Sequence, residues 1–281
     1  MNDKIVVCIQ KGGQRDQAES FARRTGSVIA DKPGKELTVL FDSKGVSLTG
    51  YGLTYQGDFE NMLHRVTNGR LQHEMLVRAA KSEKEGRRAI DATAGMGEDA
   101  FLLAAQGYEV TLYEQNPVVA ILLKDALRRA KKHPVLKDIA ARMKLVEGDS
   151  VECMSKLLDP VDAIYLDPMF PARQKSSLIN KKLQLIQKLE PPCSEETDLF
   201  DAAIKAAPDK IIVKRPLKSE FLAGRKPSYT LNGKAIRYDC YTDVYKRQPY
   251  ICTIMTSWIF SCWRIVTPIS SGRRPSDSTI V

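Results

Sequence analysis

Residues 89–101 read AIDATAGMGEDAF, and this stretch decides the fold. An apolar run of strand character ends at Asp91, two glycines follow as Gly95-x-Gly97, and a helix-forming run begins directly after them. Glycines let a chain turn tightly and approach a ligand closely, and the first turn of a helix presents N–H groups that lack helical acceptors. The pattern predicts a strand, a ligand-binding turn and a helix of an α/β fold.

The alternation of strands and helices continues from Arg88 to the end of the body. This alternation predicts a mostly parallel sheet covered by helices on both faces, followed by an antiparallel hairpin with its turn at Asn232–Gly233. We therefore expect a doubly wound, Rossmann-like α/β sheet with an antiparallel C-terminal hairpin. The predicted strands are 89–93, 109–114, 143–148, 162–167 and 210–215, and the predicted helices are 98–106, 117–132, 151–158, 178–189 and 195–206.

Four regions are predicted along the chain. Residues 1–60 form a small N-terminal α/β unit with a hairpin around Ser43–Gly45, residues 61–87 form a polar helical connector, and residues 88–242 form the sheet domain. Residues 243–281 show no clear period, and their stretch DVYKRQ matches one reading frame of a common sequencing-library adaptor. We interpret this tail as non-native or disordered.

Composition narrows the class of protein. The 43 Lys and Arg residues exceed the 34 Asp and Glu residues, which gives a net charge of +9. This charge slightly favours a nucleic acid as partner over the alternative, which is solubility alone. The six cysteines contain no C-x-x-C pair, so neither a disulfide framework nor a metal site is indicated. The uncharged run 250–263 is shorter than the roughly 20 residues of a membrane-spanning helix. A cytoplasmic protein without membrane anchor or metal is predicted.

The glycine turn predicts a nucleotide-like cofactor. Glu114 ends the next predicted strand, 19 residues after Gly95, where a carboxylate can accept hydrogen bonds from ribose hydroxyls. This spacing fits both NAD and S-adenosylmethionine (SAM), and a close helix–strand crossing without ligand is the alternative. Glu98 and Asp99 favour SAM, because they would repel a pyrophosphate and attract a sulfonium and an amino group, although they also complement the helix dipole.

A contact to the adenine is predicted after the strand at 143–148. Asp149 can accept a hydrogen bond from the exocyclic amine of the adenine, and Ser150 offers a hydroxyl or a backbone N–H to the ring. Ser150 is also a good candidate for the N-cap of the following helix.

The stretch AIYLDPMFPARQKS (163–176) places further chemistry at the same edge of the sheet. The Asp167 carboxylate and a main-chain carbonyl can accept the two hydrogens of a purine amine, orient its lone pair towards a methyl donor and stabilise the charge that develops. Pro168 keeps the turn rigid and has no N–H of its own, and Phe170 offers a flat face to an extruded base. The alternative is a strand-ending turn with Phe170 in the core.

Basic side chains follow on this edge and predict contacts to the phosphates of a nucleic acid. For any one of them, a solvated surface position is the alternative. The residues are Arg173, Lys175, Lys181, Lys182, Lys214 and Arg215.

The motifs together resemble the ribosomal RNA small-subunit methyltransferase J family. The resemblance extends from about residue 88 to 241 and is carried by IDATAGMGEDAF, YEQNPVVAILLKDAL, YLDPMFPARQKS, IIVKRP and IRYDCY. It implies a class I methyltransferase that uses SAM to methylate the N2 amine of a guanine in 16S ribosomal RNA or the small ribosomal subunit. The implied cofactor contacts are Glu98, Asp99, Glu114, Gln115, Asp149, Ser150 and Asp167, beside Asp91, Gly95 and Gly97 of the glycine turn.

This sequence departs from the family pattern at three of those positions. Glu98 and Gln115 stand where arginines are expected, and Asp149 stands where serine is expected.

Two other classes of protein stay open. An NAD-dependent oxidoreductase agrees with the glycine spacing but leaves LDPMFP and the basic edge without a role, and a nucleic-acid-binding module without activity accounts for the charge alone.

Overall fold

The computed structural model describes residues 5–34, 37–168, 185 and 196–242, which form two β-sheets with helices packed against them. The strands of the smaller sheet are β1 (Val6–Ile9), β2 (Val28–Ala30), β3 (Thr38–Asp42), β4 (Gly45–Gly50) and β5 (Leu53–Tyr55). The strands of the larger sheet are β6 (Arg88–Asp91), β7 (Glu109–Glu114), β8 (Met143–Glu147), β9 (Ala163–Leu166), β10 (Lys210–Pro216), β11 (Tyr229–Asn232) and β12 (Ile236–Thr242).

Helices cover both sheets. The α-helices are α1 (Arg15–Thr25), α2 (Leu63–Val66), α3 (Met75–Ala79), α4 (Glu98–Ala105), α5 (Pro117–Ala130), α6 (Lys137–Ala141), α7 (Ser150–Ser155) and α8 (Glu196–Lys205). Short 3-10 helices lie at Phe59–Met62, Arg70–His73 and Leu222–Gly224. No helix in the described part of the chain combines the length and the apolar character that crossing a membrane requires.

The larger sheet has the strand order β11-β12-β10-β9-β6-β7-β8. Strands β10, β9, β6, β7 and β8 are parallel, and β12 runs antiparallel to both β10 and β11. The chain moves outward from β6 to β7 and β8 on one side, and from β9 to β10 on the other. The carboxyl ends of β6 and β9 therefore form the switch point at which open α/β sheets bind ligands. The predicted doubly wound sheet with an antiparallel hairpin is confirmed, as is the smaller N-terminal sheet.

Alternate residues of the central strands pack on opposite faces of the larger sheet. In β9, Ala163 and Tyr165 join the core that contains α4, whereas Ile164 and Leu166 join the core that contains α7 and α8. Such burial on both faces explains why these strands are almost continuous apolar runs.

Helix α5 packs against both sheets. Its Val118, Ile121 and Leu122 are buried with the strands of the smaller sheet, which runs in the order β2-β1-β3-β4-β5. Its Leu123 and Leu127 are buried in the core of the larger sheet. One helix thus links the hydrophobic interiors of the two sheets.

The turn of the C-terminal hairpin lies two residues later than predicted. Strand β11 continues through Asn232, which pairs with Arg237 of β12, and the Gly233 N–H donates to the Ile236 carbonyl at 2.9 Å. The predicted turn at Asn232–Gly233 is therefore wrong, and the chain reverses at residues 234–235. Asn232 is part of the strand because its pairing with Arg237 fixes the register of the hairpin.

The connector at residues 61–87 was predicted as polar, but it contributes apolar side chains to the core. It forms short helices, and its Met62, Leu76 and Val77 are buried in the core of the larger sheet. Strands β2 and β5 and helix α6 are too short to stand out in the sequence pattern, and they were not predicted. Except for residue 185, the predicted helix at 178–189 lies outside the described residues, as does the tail at 243–281.

Candidate cofactor and active site

The ends of β6 and β9 are fastened together at the switch point. The Asp167 N–H donates to Thr93 Oγ1 at 2.7 Å, and the Thr93 N–H donates to Asp91 Oδ1 at 3.1 Å. Asp91 is buried, whereas the Asp167 side chain is 32% exposed. Thr93 therefore fixes the backbone from which the Asp167 carboxylate projects. No sequence signal beyond its place inside the glycine turn points to Thr93.

The two glycines of the turn have different surroundings. Both have positive φ, 51° at Gly95 and 74° at Gly97, a conformation that glycine adopts at little cost. A Cβ on Gly97 would lie 2.9 Å from Leu123 Cδ1, whereas a Cβ on Gly95 would meet only the Thr93 carbonyl, at 4.0 Å. Gly97 therefore permits the helix to pack, and Gly95 leaves open space from which a ligand can approach the backbone.

Glu114 connects the second strand to the glycine turn. Its Oε2 accepts from the Gly95 N–H at 2.9 Å and its Oε1 accepts from the Asn116 N–H at 2.7 Å. The residue is only 6% exposed. Besides the predicted ribose contact, Glu114 therefore holds the glycine turn and the start of α5 in place, a role that the sequence did not reveal.

A cluster of charges lies beside this turn. Lys214 Nζ, on β10, is 2.8 Å from Asp99 Oδ2 and 2.8 Å from Asp167 Oδ2. The Tyr165 hydroxyl donates to Asp99 Oδ2 at 2.6 Å. Tyr165 was missed, although it precedes Asp167 by two residues and the two-residue period of a strand places both on one face.

The cluster corrects the assignment of Lys214 to RNA phosphates. Its ammonium is held between two carboxylates of the site, and its side chain is only 25% exposed. The assignment of Arg215 is wrong for a similar reason. Arg215 is 4% exposed, and its guanidinium donates to Glu196 Oε1 at 3.1 Å and to the Glu220 carbonyl at 3.0 Å. Because the Arg215 side chain is buried and its guanidinium is bonded inside the fold, it is not presented to a phosphate.

Burial shapes the ionisation of the site. Burial raises the pKa of Asp91 to about 8, against the N–H of Thr93, which lowers it. Burial also raises the pKa of Asp167, and the nearby Lys214 ammonium opposes that rise. Burial alone would lower the pKa of Lys214, but Asp99 and Asp167 outweigh it and raise the pKa above its ordinary value. Near neutral pH, Asp91 carries a proton and Lys214 carries a charge.

The predicted adenine contacts lie at the next strand end. The Gly148 N–H donates to the Glu114 carbonyl at 2.9 Å, which brings the end of β8 beside that of β7. Asp149 Oδ1 accepts from the Val151 N–H at 2.7 Å and from the Glu152 N–H at 3.3 Å. The N-cap of α7 is thus Asp149, and Ser150 is the first residue of the helix, so the alternative interpretation of Ser150 as the cap is wrong.

The remaining predicted residues divide into two groups. Glu98 is exposed in the first turn of α4, and Gln115 is exposed directly after β7. Pro168, directly after Asp167, is buried. The other predicted residues lie outside the described part of the chain: Phe170, Arg173, Lys175, Lys181 and Lys182. Their roles stay predictions.

The arrangement fits a cofactor that carries positive charge. Gly95 leaves the backbone accessible, Asp99 and Asp167 provide partly exposed carboxylates, and the ends of β7 and β8 offer polar groups along the same edge. A sulfonium and an amino group would find opposite charges there. A pyrophosphate would face carboxylates at the start of α4 instead.

Comparison with known proteins agrees with this chemistry. Residues 52–243 match the family model described as "Putative SAM-dependent methyltransferase". Ribosomal RNA small subunit methyltransferase J of Pseudomonas aeruginosa (strain LESB58) is 37% identical, over 85% of this chain and 94% of that protein. The protein of the same name from Thioalkalivibrio sulfidiphilus is 36% identical, over 81% of this chain and 93% of that protein.

A solved structure of a SAM-dependent methyltransferase from Neisseria gonorrhoeae has a TM-score of 0.68 and 30% identity to this chain. The similarity covers 84% of this chain and 95% of that protein. Fold, sequence and site agree, and the chain therefore belongs to the ribosomal RNA small subunit methyltransferase J family, whose members are SAM-dependent methyltransferases.

Proposed function

We propose that the protein transfers a methyl group from SAM to the exocyclic N2 amine of a guanine in 16S ribosomal RNA, free or within the small subunit. The observation that carries the proposal is the position of Asp167. Its carboxylate lies at the end of β9, beside the glycine turn and within the cluster formed with Asp99 and Lys214. The relatives named as ribosomal RNA methyltransferases and the net charge of +9 support the nucleic-acid substrate.

The cofactor, when bound, supplies a methyl group on a positively charged sulfur. The residues that we assign to it fall into three groups along the carboxyl edge. Residues of the glycine turn and the carboxylates beside it surround its cationic end, the end of β7 faces the ribose, and the end of β8 faces the adenine. They are Asp91, Gly95, Gly97, Glu98, Asp99 and Asp167; Glu114 and Gln115; and Asp149 and Ser150.

The chain's contribution to the reaction is to orient the guanine amine. Lys214 contacts Oδ2 of Asp167, so we assign Oδ1 and the main-chain carbonyl at Pro168 as the acceptors of the two amine hydrogens. These bonds direct the nitrogen lone pair and strengthen as the amine gains positive charge. Thr93 holds the Asp167 backbone in place, and Phe170 is proposed to stack on the base.

Positioning of the RNA backbone is assigned to the remaining basic residues of the edge. Lysine and arginine contacts to phosphates hold an RNA without reading its sequence. Because Lys214 and Arg215 are used inside the fold, the proposed contacts are Arg173, Lys175, Lys181 and Lys182.

Methyl transfer from tritiated SAM to purified 16S RNA and to small subunits tests the proposal, with nuclease mapping of the product to N2-methylguanosine. Label in neither substrate would contradict it.

Thermal unfolding with S-adenosylhomocysteine and with NAD separates the enzyme classes, because a ligand at 100 times its Kd adds about 2.7 kcal/mol to the free energy of unfolding. Stabilisation by NAD alone would favour an oxidoreductase, and RNA binding without transfer would favour a binding module.

A further inference from the structure

We propose that Lys214 is a positioning residue that keeps the carboxylates of Asp99 and Asp167 side by side and ionised, so that both can face positive charge on the ligands. This inference rests on the proposed function and deepens it by adding a residue to the site. It gives Lys214 a role inside the site in place of a contact to RNA.

The geometry brings three distant parts of the chain to one point. Asp99 comes from the first turn of α4, Asp167 follows β9, and Lys214 lies on β10. Its Nζ is 2.8 Å from an oxygen of each carboxylate, so those two oxygens are at most about twice that distance apart. Like charges that close, in a site that is largely shielded from water, repel strongly without a cation between them.

Acidic groups outnumber cations in the cluster of Asp99, Asp167 and Lys214. Asp91 is neutral near pH 7, because burial raises its pKa to about 8. Within the cluster itself, two carboxyl groups share the single ammonium of Lys214, so acidic groups outnumber the cation. An excess of acidic groups attracts a sulfonium, and Asp167 can still accept a hydrogen bond from the amine, because Lys214 contacts only its Oδ2.

No other group in the described residues takes the place of Lys214 in these ion pairs. Arg65 is the other cation near the cluster, and its guanidinium is paired with Glu74 at 2.7 Å. Burial raises the pKa of Tyr165 and of Tyr238, so both stay neutral. Around the cluster of Asp99, Asp167 and Lys214, the charged and titratable side chains in the described residues are Arg65, Glu74, Asp91, Tyr165 and Tyr238.

Lys214→Met removes the charge and keeps most of the length of the side chain. The pKa of Asp167 then rises further, because it loses the Lys214 ammonium that lowers it and keeps the nearby Asp99 that raises it. We expect the acid limb of the pH–rate profile to move up by at least about one pH unit, which is a tenfold loss of rate at a given pH on that limb. Lys214→Arg keeps the charge and restores the profile in part.

The decisive measurement needs neither cofactor nor RNA. Carbon-13 NMR titration of the aspartate carboxyls in the free, full-length protein should show the carboxyl of Asp167 titrating at higher pH in Lys214→Met. The double variant Lys214→Met/Asp99→Asn removes one of the two like charges, so the carboxyl of Asp167 should titrate near its wild-type pH again. Lys210→Met is the matched control, because Lys210 lies on the same strand and its Nζ donates to the Ala79 carbonyl at 2.8 Å, away from the cluster.

The titration also separates this inference from the proposed function. If Lys214→Met leaves every aspartate titration where it is in the wild type, the inference is wrong, whatever the protein methylates. A moved titration in a protein that transfers no methyl group would support the role of Lys214 and contradict the proposed function. Should Lys214→Met fail to fold, the same comparison is made with Lys214→Gln, and the double variant tests whether relief of repulsion restores folding.

Discussion

Two aspartates at neighbouring strand ends have opposite environments. Asp91 is buried at the end of β6 and receives one hydrogen bond, from the Thr93 N–H. Asp167, after β9, is partly exposed and paired with Lys214. The sequence shows a strand-ending aspartate in both cases, so it predicts the positions but not the ionisation. Ionisation depends on the cation that β10 brings to one of them.

The first residue-scale prediction concerns the pH dependence of stability at Asp91. The native state holds a proton on this carboxyl up to a pKa of about 8, whereas an unfolded aspartate loses it near pH 4. The folded state therefore binds more protons between these values, and stability falls as pH rises, by up to about 1.4 kcal/mol per pH unit. Asp91→Asn keeps an acceptor for the Thr93 N–H and should lack this fall. Urea unfolding of both proteins at pH 5, 6 and 7 measures the difference, and parallel curves would refute the prediction.

The second residue-scale prediction separates catalysis from base binding. Asp167→Ala should lower the single-turnover rate of methyl transfer by about 10²–10³-fold, because it removes a partner that strengthens in the transition state. Phe170→Ala should weaken RNA binding at the target base by about 1–3 kcal/mol while S-adenosylhomocysteine binds as before. A Phe170 that belongs to the core would instead lose about 3–5 kcal/mol of stability on truncation. Melting temperature, cofactor affinity and transfer rate of both variants distinguish these outcomes.

At the scale of elements, the glycine turn joins β6 to α4 with two residues that tolerate change differently. Alanine at either position is strained by about 1–2 kcal/mol, since both φ angles are positive. Gly97→Ala adds a collision with Leu123, so overpacking should cost about 1–3 kcal/mol more. Gly95→Ala places its methyl in open space and should mainly weaken S-adenosylhomocysteine binding. Urea unfolding and calorimetric binding of both variants test this division, which equal stability losses would exclude.

The sequence predicted most elements of the larger sheet because each central strand is a short apolar run between helical patterns. Strands β7, β8 and β10 begin where they were predicted. The predictions fail where the position of a residue depends on partners that are distant in sequence. Register across β11 and β12 moved the turn past Asn232, and the meeting of β10 with α4 directed Lys214 to carboxylates. Local pattern contains neither piece of information.

At the scale of the whole molecule, β12 defines the last described element. It pairs with β10 on one side and β11 on the other, and it ends at Thr242. We predict that a chain ending after Thr242 keeps the melting temperature and the S-adenosylhomocysteine affinity of the full chain. A contribution of about 1 kcal/mol from residues 243–281 would appear as a loss of about 2–4 °C, and a loss of that size would contradict the prediction. Truncation after Ala235 is the control, because it removes an internal strand and should abolish folding.

Helix α5 determines how the molecule can come apart. Since its apolar side chains are shared between the interiors of the two sheets, neither sheet can open without exposing part of this helix to water. Backbone amides of α5 should therefore exchange with deuterium only through global unfolding, and they should be the slowest in the chain together with those of β9. Exchange of the β1–β5 amides at a lower opening free energy than that of α5 would show the smaller sheet detaching on its own. We expect hydrogen exchange to show one cooperative opening, in which the smaller sheet and the cofactor-binding edge of the larger sheet unfold together.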